Sequence, residues 1–369
     1  MAGHPLVDAA RSLAAELAPG AARVEHEGVS RATLDRLAGA GLHGLFGPRW
    51  AGGSDTAAAV YREVAEILAG ADGNTWLVWF QHHPVVKMLA ASPNADLAGR
   101  HLPALCSGAA QAGVAFSHLR NPSPTIEVTR SNGVWSLRGT QPWCTGWGLI
   151  DLVLVGAVTP DDEVLFALVP AAEARGLHAT GELPLAAMAG TRTVGLELDG
   201  LAVGDDDVVL RVPRGQWAVG DFARSANVQP SAFGIARAAL AALAERQPDV
   251  AARLGQALDS VRAHAYRLAD EVPTQEAVEE RLATAARALL LGVEITSALV
   301  ASLGGQGMTL ASPAQRWARE ALFHLVFAQN GGLRAATLES VSSQAAGVAG
   351  GVAQAGSWMA LTSRNSASP

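Results

Sequence analysis

Glu320, His324 and Ala328 stand at i, i+4 and i+8 in a segment with helical periodicity, so they share one face of the predicted helix. A histidine titrates near neutral pH and can act as a general acid or base. His324 is therefore a candidate catalytic residue. Two structural roles compete with this interpretation: Glu320 can pair with Arg316 one turn earlier, and a histidine on such a face is commonly a hydrogen-bonded interior residue.

The cysteines and paired histidines do not predict a metal site. His82 and His83 are adjacent, which would point their side chains about 100° apart on a helix, and no further ligands cluster near them in the sequence. Cys106 and Cys144 are far apart and lie outside any CxxC or Cys/His spacing. We expect no metal and a reducing, cytoplasmic location.

The composition excludes several classes of protein. Of the 369 residues, 49% are hydrophobic and 17% are charged, with a formal net charge of −7, as in globular proteins. The scattered basic residues offer no surface for nucleic acid. The amino terminus lacks the pattern of a signal peptide. The most apolar long stretch, residues 283–303, contains Arg287 and Glu294, so we expect no membrane span.

The periodicity changes twice along the chain and predicts three domains. Residues 1–110 and 216–369 have apolar residues at helical spacing, whereas residues 111–215 contain short, nearly alternating Val-, Leu- and Trp-rich runs. Asn132-Gly133 and Asp161-Asp162 separate such runs and predict tight hairpins. We predict an α+β multidomain fold: an N-terminal helical domain, a central antiparallel β-domain and a C-terminal helical bundle. Strands and helices do not alternate, which excludes a doubly wound sheet.

Several segments, in this order, resemble the acyl-CoA dehydrogenase superfamily. Gly133-Val-Trp-Ser-Leu-Arg-Gly139 followed by Gln141-Pro-Trp-Cys-Thr145 resembles the family's hairpin and its Trp-x-Ser/Thr element. Gly304-Gly-Gln-Gly307, with Arg319-Glu320 after it, resembles the family's Gly-Gly-x-Gly turn and the following helix. The resemblance spans most of the chain. It implies the three-domain fold, FAD as cofactor and a homodimer or homotetramer.

The resemblance also implies positions for the site residues. It places Trp143 against the flavin ring and Thr145 in hydrogen-bond contact near the N5 edge, because an aromatic plane stacks on the isoalloxazine and a donor at N5 stabilises the charge of the reduced form. Further flavin contacts would come from four other residues: Phe116, Arg246, Gly304 and Gly305. The substrate would meet His82, Leu119, Arg120 and Arg224.

The sequence departs from the family where a proton must be removed. Ala328 stands at the position of the family's catalytic glutamate, and Ala223 stands at the second position that some members use. Alanine cannot accept a proton. Asp221, two residues from Ala223, and His324 are the candidate replacements. In addition, the segment 245–249 is shorter than the family's Arg-x-x-Phe-Gly segment, which holds the flavin pyrophosphate, so flavin binding is expected to be weak or transient.

Three functions are compatible with this pattern. The first is an FAD-dependent dehydrogenase that oxidises an acyl thioester or a related small molecule without the usual glutamate. The second is a flavin-dependent monooxygenase that takes reduced flavin from a separate reductase. The third is a non-catalytic subunit that pairs with a complete homologue. A fold can host all three, so the resemblance does not choose among them.

Overall fold

A computed structural model describes residues 3–343 and contains the three predicted blocks of secondary structure. Six helices form the first block: α1 Pro5–Leu17, α2 Ala21–Glu27, α3 Arg31–Gly39, α4 Ala58–Ala71, α5 Gly73–Ala90 and α6 Ala95–Ser107. Their core includes Trp76 and Trp79, both fully buried. Helix α5 begins at a strong cap, because the Asp72 carboxylate accepts hydrogen bonds from the Asn74 amide and the Thr75 hydroxyl.

Eight strands form the central block: β1 Ala112–Ala115, β2 Ile126–Ser131, β3 Val134–Cys144, β4 Leu152–Val158, β5 Glu163–Pro170, β6 Leu177–Ala179, β7 Val194–Val203 and β8 Val208–Pro213. They make one sheet in the order β6-β7-β3-β2-β4-β5-β8, with β1 paired to β4. Both predicted hairpins are confirmed: β2 pairs with β3 across Asn132-Gly133, and β4 pairs with β5 across Asp161-Asp162. Asn132 and Gly133 both have positive φ, as a tight hairpin turn requires.

The prediction of a purely antiparallel sheet is wrong. Strand β4 pairs in parallel with β1 and, through one residue pair, with β2. These strands are joined by long connections, so no local turn signal in the sequence announces their pairing. The sheet is therefore mixed.

The last block contains α7 Arg214–Ser225, α8 Pro230–Ala244, α9 Pro248–Glu271, α10 Val278–Leu303, α11 Pro313–His324 and α12, which covers residues 331–343. Within residues 3–343, one helical stretch, Val278–Met308, is long and apolar enough to cross a membrane. This differs from the sequence prediction. The stretch contains α10, a buried helix of the bundle core, and its charged Arg287 and Glu294 pair at 2.6 Å. The cytoplasmic location stays a prediction.

Candidate active site

The end of β3 presents one open aromatic side chain and one buried hydroxyl. Trp143 is 50% exposed, although tryptophan is usually well buried, and Thr145 is 7% exposed. The pairing of β3 with β7 shifts between Gln141 and Cys144, which releases the backbone from the regular ladder. The Gln141 side chain then donates to the Trp143 carbonyl at 2.7 Å. The backbone of Trp143 is thus held in place, while its indole ring stays open to a planar ligand.

Thr145 begins a chain of three threonine hydroxyls that the sequence prediction missed. Its Oγ1 lies 3.0 Å from Oγ1 of Thr193, which lies 2.8 Å from Oγ1 of Thr191. The Thr191 hydroxyl donates to the Met188 carbonyl at 2.7 Å. All three threonines are buried. The Gly190-Thr-Arg-Thr193 segment was recognised as a motif, but its pairing with Thr145 depends on the fold.

The turn after β1 packs inward rather than toward a ligand. Leu119 is buried in the core beneath the sheet, and the Phe116 ring lies edge-on to Phe166 with centroids 5.4 Å apart. His118 fixes this turn, since its Nε2 donates to the Gly156 carbonyl and its Nδ1 accepts from the Thr125 amide. The predicted substrate contact of Leu119 is therefore corrected to a core contact. Phe116 is likewise engaged in packing.

Arg120 and Asp221 form a bidentate ion pair between the β-domain and α7. Arginine Nε and Nη2 donate to the two carboxylate oxygens at 2.7 and 3.0 Å. Both side chains are largely buried. Both carboxylate oxygens of Asp221 are thus engaged with Arg120, and the pair links the β-domain to α7. The catalytic role of Asp221 and the substrate contact of Arg120 stay predictions.

His324 is also engaged at both ring nitrogens. Its Nδ1 lies 2.8 Å from the Glu320 carbonyl, which can only accept, so Nδ1 carries the proton and Nε2 accepts from the Ser231 hydroxyl at 2.8 Å. Trp76, Phe323 and Phe327 surround the ring. Burial lowers the pKa of His324 to about 4. At neutral pH the ring is neutral and its lone pair is occupied, so it cannot serve as a base without breaking its bond to Ser231.

Two cavities border the two alanines. A narrow crevice of about 10 Å³ is lined by Ala328, His324, Phe327 and seven other residues. An open apolar depression of about 340 Å³ is lined by Ala223 and five further residues of α7, α10 and the turn before it. Neither lining contains a carboxylate, and His324 is their single titratable group. Ala328 itself has φ of 52° in the turn between α11 and α12.

Glu320 serves the fold instead. Arg316 donates to its Oε1 at 3.0 Å and to the Ala71 carbonyl at 3.2 Å, so the pair ties α11 to the end of α4. Burial raises the pKa of Glu320 to about 7, although Arg316 acts in the opposite direction. A Cβ at Gly73 would lie 2.7 Å from Oε1, so α5 closes directly over the carboxylate. The carboxylate is sealed between helices and lines neither cavity.

The remaining predicted residues fall into a buried group and an exposed group. His82 is buried, with Nε2 donating to the Leu105 carbonyl and Nδ1 accepting from the Ala112 amide, so its predicted substrate contact is corrected to a structural role. Arg224, Arg246, Gly304 and Gly305 are exposed. A Cβ at Gly304 or Gly305 would meet no neighbour within 4 Å, which leaves room for a ligand or a second chain at this turn.

Comparisons with known proteins agree with this architecture. Residues 4–109 match the family model for the acyl-CoA dehydrogenase N-terminal domain. Among solved structures, a putative acyl-CoA dehydrogenase from Mycobacterium smegmatis superimposes with a TM-score of 0.79 at 18% identity, covering 91% of this chain and 97% of that one. Butyryl-CoA dehydrogenase from Megasphaera elsdenii gives a TM-score of 0.75 at 17% identity, with coverages of 91% and 97%.

The chain has the acyl-CoA dehydrogenase fold. The match of residues 4–109 to the family model and the shared fold agree with the sequence resemblance. Dibenzothiophene monooxygenase from Paenibacillus sp. A11-2 has the same fold, with a TM-score of 0.73 at 20% identity, covering 86% of this chain and 92% of that one. No curated protein sequence matches the chain. The acyl-CoA dehydrogenase fold thus includes both dehydrogenases and a monooxygenase, and the residues at the site must distinguish them.

A flavin suits the residues at the end of β3. Trp143 offers an open aromatic face, and Thr145 sits two positions along the same segment with its hydroxyl oxygen facing a buried polar chain. The residues predicted to hold the adenosine end of an FAD form no enclosed site. Arg246 is exposed in the short turn between α8 and α9, and the turn at Gly304-Gly305 is open. The ring therefore has a better defined site than the adenosine end.

Proposed function

We propose that this chain is a flavin-dependent monooxygenase that takes up reduced flavin, rather than a dehydrogenase that removes an α-proton from an acyl thioester. One observation carries the proposal: the cavities beside Ala328 and Ala223 are lined by no carboxylate. Oxidation of a thioester by loss of an α-proton needs a base within hydrogen-bond reach of that proton. Insertion of an oxygen atom has no such requirement.

The replacement bases considered from the sequence do not fill the gap. Asp221 is clamped by Arg120, and His324 is neutral and bonded to Ser231. Either group would have to lose a buried partner before it could accept a proton, at a cost of about 1–3 kcal/mol for a neutral bond and more for a charged one. These arrangements support a site that does not use a general base at the α-carbon.

The reaction that we propose is balanced by oxygen and reduced flavin. A substrate C–H bond, O₂ and the two electrons and two protons of the reduced flavin give C–OH, water and oxidised flavin. Bound reduced flavin supplies the electrons. A separate flavin reductase would provide it, which agrees with the open site at the adenosine end. In this proposal the chain's own residues would stack on the ring at Trp143, and Phe327 and Leu333 would give the crevice an apolar side beside its polar lining residues.

We further propose that the substrate is a small apolar or aromatic molecule. Phe327 lines the crevice and packs with Phe80 and Phe323 at centroid distances of 5.4 and 5.1 Å. Indole is a suitable probe, since it is bound in a structure of the Paenibacillus monooxygenase. FMN is the flavin to supply first, because that monooxygenase also binds FMN.

The chain is also expected to work as a homo-oligomer. Four large apolar side chains are exposed on α11, on the turn after it and on α12: Leu322, Val326, Leu338 and Val341. Exposed apolar groups of this kind commonly mark protein contacts. Size-exclusion chromatography with light scattering measures the state directly.

The test supplies chemically reduced FMN, ¹⁸O₂ and indole to the purified chain. We expect one ¹⁸O atom in the product, only when protein and reduced flavin are both present. In parallel, the chain loaded with oxidised flavin is mixed with butyryl-CoA without oxygen, and we expect no bleaching of the flavin. Bleaching by butyryl-CoA would contradict the proposal and support a dehydrogenase. Failure to bind either redox state of FMN or FAD would support a non-catalytic subunit.

A further inference from the structure

The threonine chain behind β3 has a defined hydrogen-bond direction. Each hydroxyl carries one hydrogen and can donate only once. The Met188 carbonyl can only accept, so the Thr191 hydrogen is used there, and the contact between Thr191 and Thr193 must use the Thr193 hydrogen. The contact between Thr193 and Thr145 must then use the hydrogen of Thr145.

Burial removes other partners for these hydrogens. Thr191 is fully buried, and Thr193 and Thr145 are 5% and 7% exposed. Buried hydroxyls satisfy their hydrogen bonds internally, because leaving one unmade is costly. The Thr145 oxygen therefore keeps its lone pairs but has no hydrogen left to offer a ligand.

We infer that Thr193 is a positioning residue that makes Thr145 a hydrogen-bond acceptor toward flavin N5, so that the site prefers reduced flavin. Oxidised flavin has a lone pair at N5, whereas reduced flavin has an N–H there. An acceptor at this position bonds to the reduced form and faces the oxidised form with opposed lone pairs. This inference rests on the proposed function for the presence of a flavin beside Thr145, and it adds which redox state the protein selects.

The test measures dissociation constants of reduced and oxidised FMN without turnover, by anaerobic equilibrium dialysis. For the unaltered chain we expect reduced FMN to bind at least about tenfold more tightly, since one hydrogen bond to the bound ring is gained in one redox state and opposed in the other. In Thr193→Val the Thr145 hydrogen is freed to donate to oxidised N5. The ratio of the two constants should then fall to about one or reverse.

Three further variants separate this role from a merely structural one. Thr193→Ser keeps the hydroxyl and should keep the preference, and Thr145→Val should abolish it. Thr296→Val removes a buried hydroxyl that donates to the Gly292 carbonyl in α10, away from β3, and should leave the ratio unchanged. Circular dichroism checks that each variant is folded.

The outcomes distinguish this inference from the proposed function. Equal or tighter binding of oxidised FMN by the unaltered chain would overturn the inference, as would an unchanged ratio in both Thr193→Val and Thr145→Val. Absence of binding for both redox states would overturn the inference and the proposed function together. A preserved preference for reduced FMN, combined with bleaching by butyryl-CoA, would overturn only the monooxygenase assignment.

Discussion

The middle of α11 differs from its carboxyl end and the turn that follows. Arg316 and Glu320, in the middle of the helix, form a buried ion pair that joins the bundle to the end of α4. His324 ends the helix, and Ala328, in the turn after it, is the residue predicted from the sequence to stand at the family's catalytic position. The side chains of Glu320 and His324 are both almost fully buried, so burial alone does not explain why one forms an ion pair and the other does not. A carboxylate is present where it holds domains together and absent where it would take a proton.

This contrast shows that residues which stabilise the fold and residues which carry out a reaction can change independently within one helix. Removing one member of a buried ion pair leaves a charge without its partner, which is costly. Replacing a catalytic carboxylate by alanine in an apolar crevice leaves no such charge. Under the proposed function, the fold is retained while the family's α-proton removal is lost.

The largest predicted effect comes from breaking the ion pair in the middle of α11. Arg316→Met leaves Glu320 buried without its partner and should lower the free energy of unfolding by about 3–5 kcal/mol. Urea unfolding followed by circular dichroism measures the change. The double variant Arg316→Met with Glu320→Leu should recover most of the loss, because no charge then remains. If the free energy of unfolding of Arg316→Met lies within about 1 kcal/mol of that of the unaltered chain, the ion pair does not stabilise the fold.

Glu320 in the middle of α11 and His324 at its carboxyl end should make stability respond to pH in opposite directions. Glu320 has a raised pKa of about 7 in the folded chain, so between its ordinary value of 4.5 and pH 7 the folded state binds more protons, and its contribution to stability falls as pH rises. His324 has a lowered pKa of about 4, so its contribution is present above pH 6.5 and is lost as pH falls toward 4. Each contribution is roughly 3 kcal/mol at most.

Substitution isolates the two contributions. Glu320→Gln should remove a decrease of stability between pH 4.5 and 7, and His324→Asn should remove an increase between pH 4 and 6.5. Unfolding free energies at several pH values, taken as differences from the unaltered chain, provide the measurement. If both difference curves had the same sign, the pKa values of Glu320 and His324 would not be shifted in opposite directions, and this prediction would be refuted.

A smaller effect is expected at the link between β-domain and α7. Asp221→Asn keeps the shape but loses the ion pair with Arg120, and should cost about 1–2 kcal/mol. Hydroxylation of indole should change less than about tenfold, because Asp221 is not a base in this account. Asp199→Asn, which loses an exposed ion pair with Arg138, is the matched control and should cost at most about 1 kcal/mol. A drop in activity of a thousandfold or more for Asp221→Asn would restore it as a catalytic residue.

The smallest effect on stability is expected at the most open residue of the site. Trp143→Ala should change the free energy of unfolding by no more than about 0.5 kcal/mol, since half of the indole is already exposed. Flavin should nevertheless bind at least about tenfold more weakly, because the stacking surface is lost. Trp50→Ala, at a residue 65% exposed on the first domain, should alter neither quantity. Unchanged flavin affinity in Trp143→Ala would place the ring elsewhere.

The order of domains was predictable because it follows from local signals. Helical spacing, alternating strands and the Asn132-Gly133 turn are properties of neighbouring residues. The parallel pairing of β4 with β1 was not predictable, since it joins residues 40 positions apart with no turn signal between them.

The hydrogen-bond partners of the candidate bases could not be predicted for the same physical reason. Asp221 and His324 have suitable side chains, but their partners lie 101 and 93 residues away in the sequence, at Arg120 and Ser231. A side chain's availability for chemistry depends on such partners. Ala328 and Ala223 were more informative, because an alanine lacks a proton-accepting atom in any fold.

The central claim is that no group in this site removes the α-proton of an acyl thioester, and proton exchange tests it most directly. The flavin-loaded chain is incubated with butyryl-CoA in D₂O, and deuterium at the α-carbon is followed by NMR. We predict exchange at the buffer rate for the unaltered chain and faster exchange for Ala328→Glu, which supplies the missing carboxylate. Protein-dependent exchange by the unaltered chain would contradict the account.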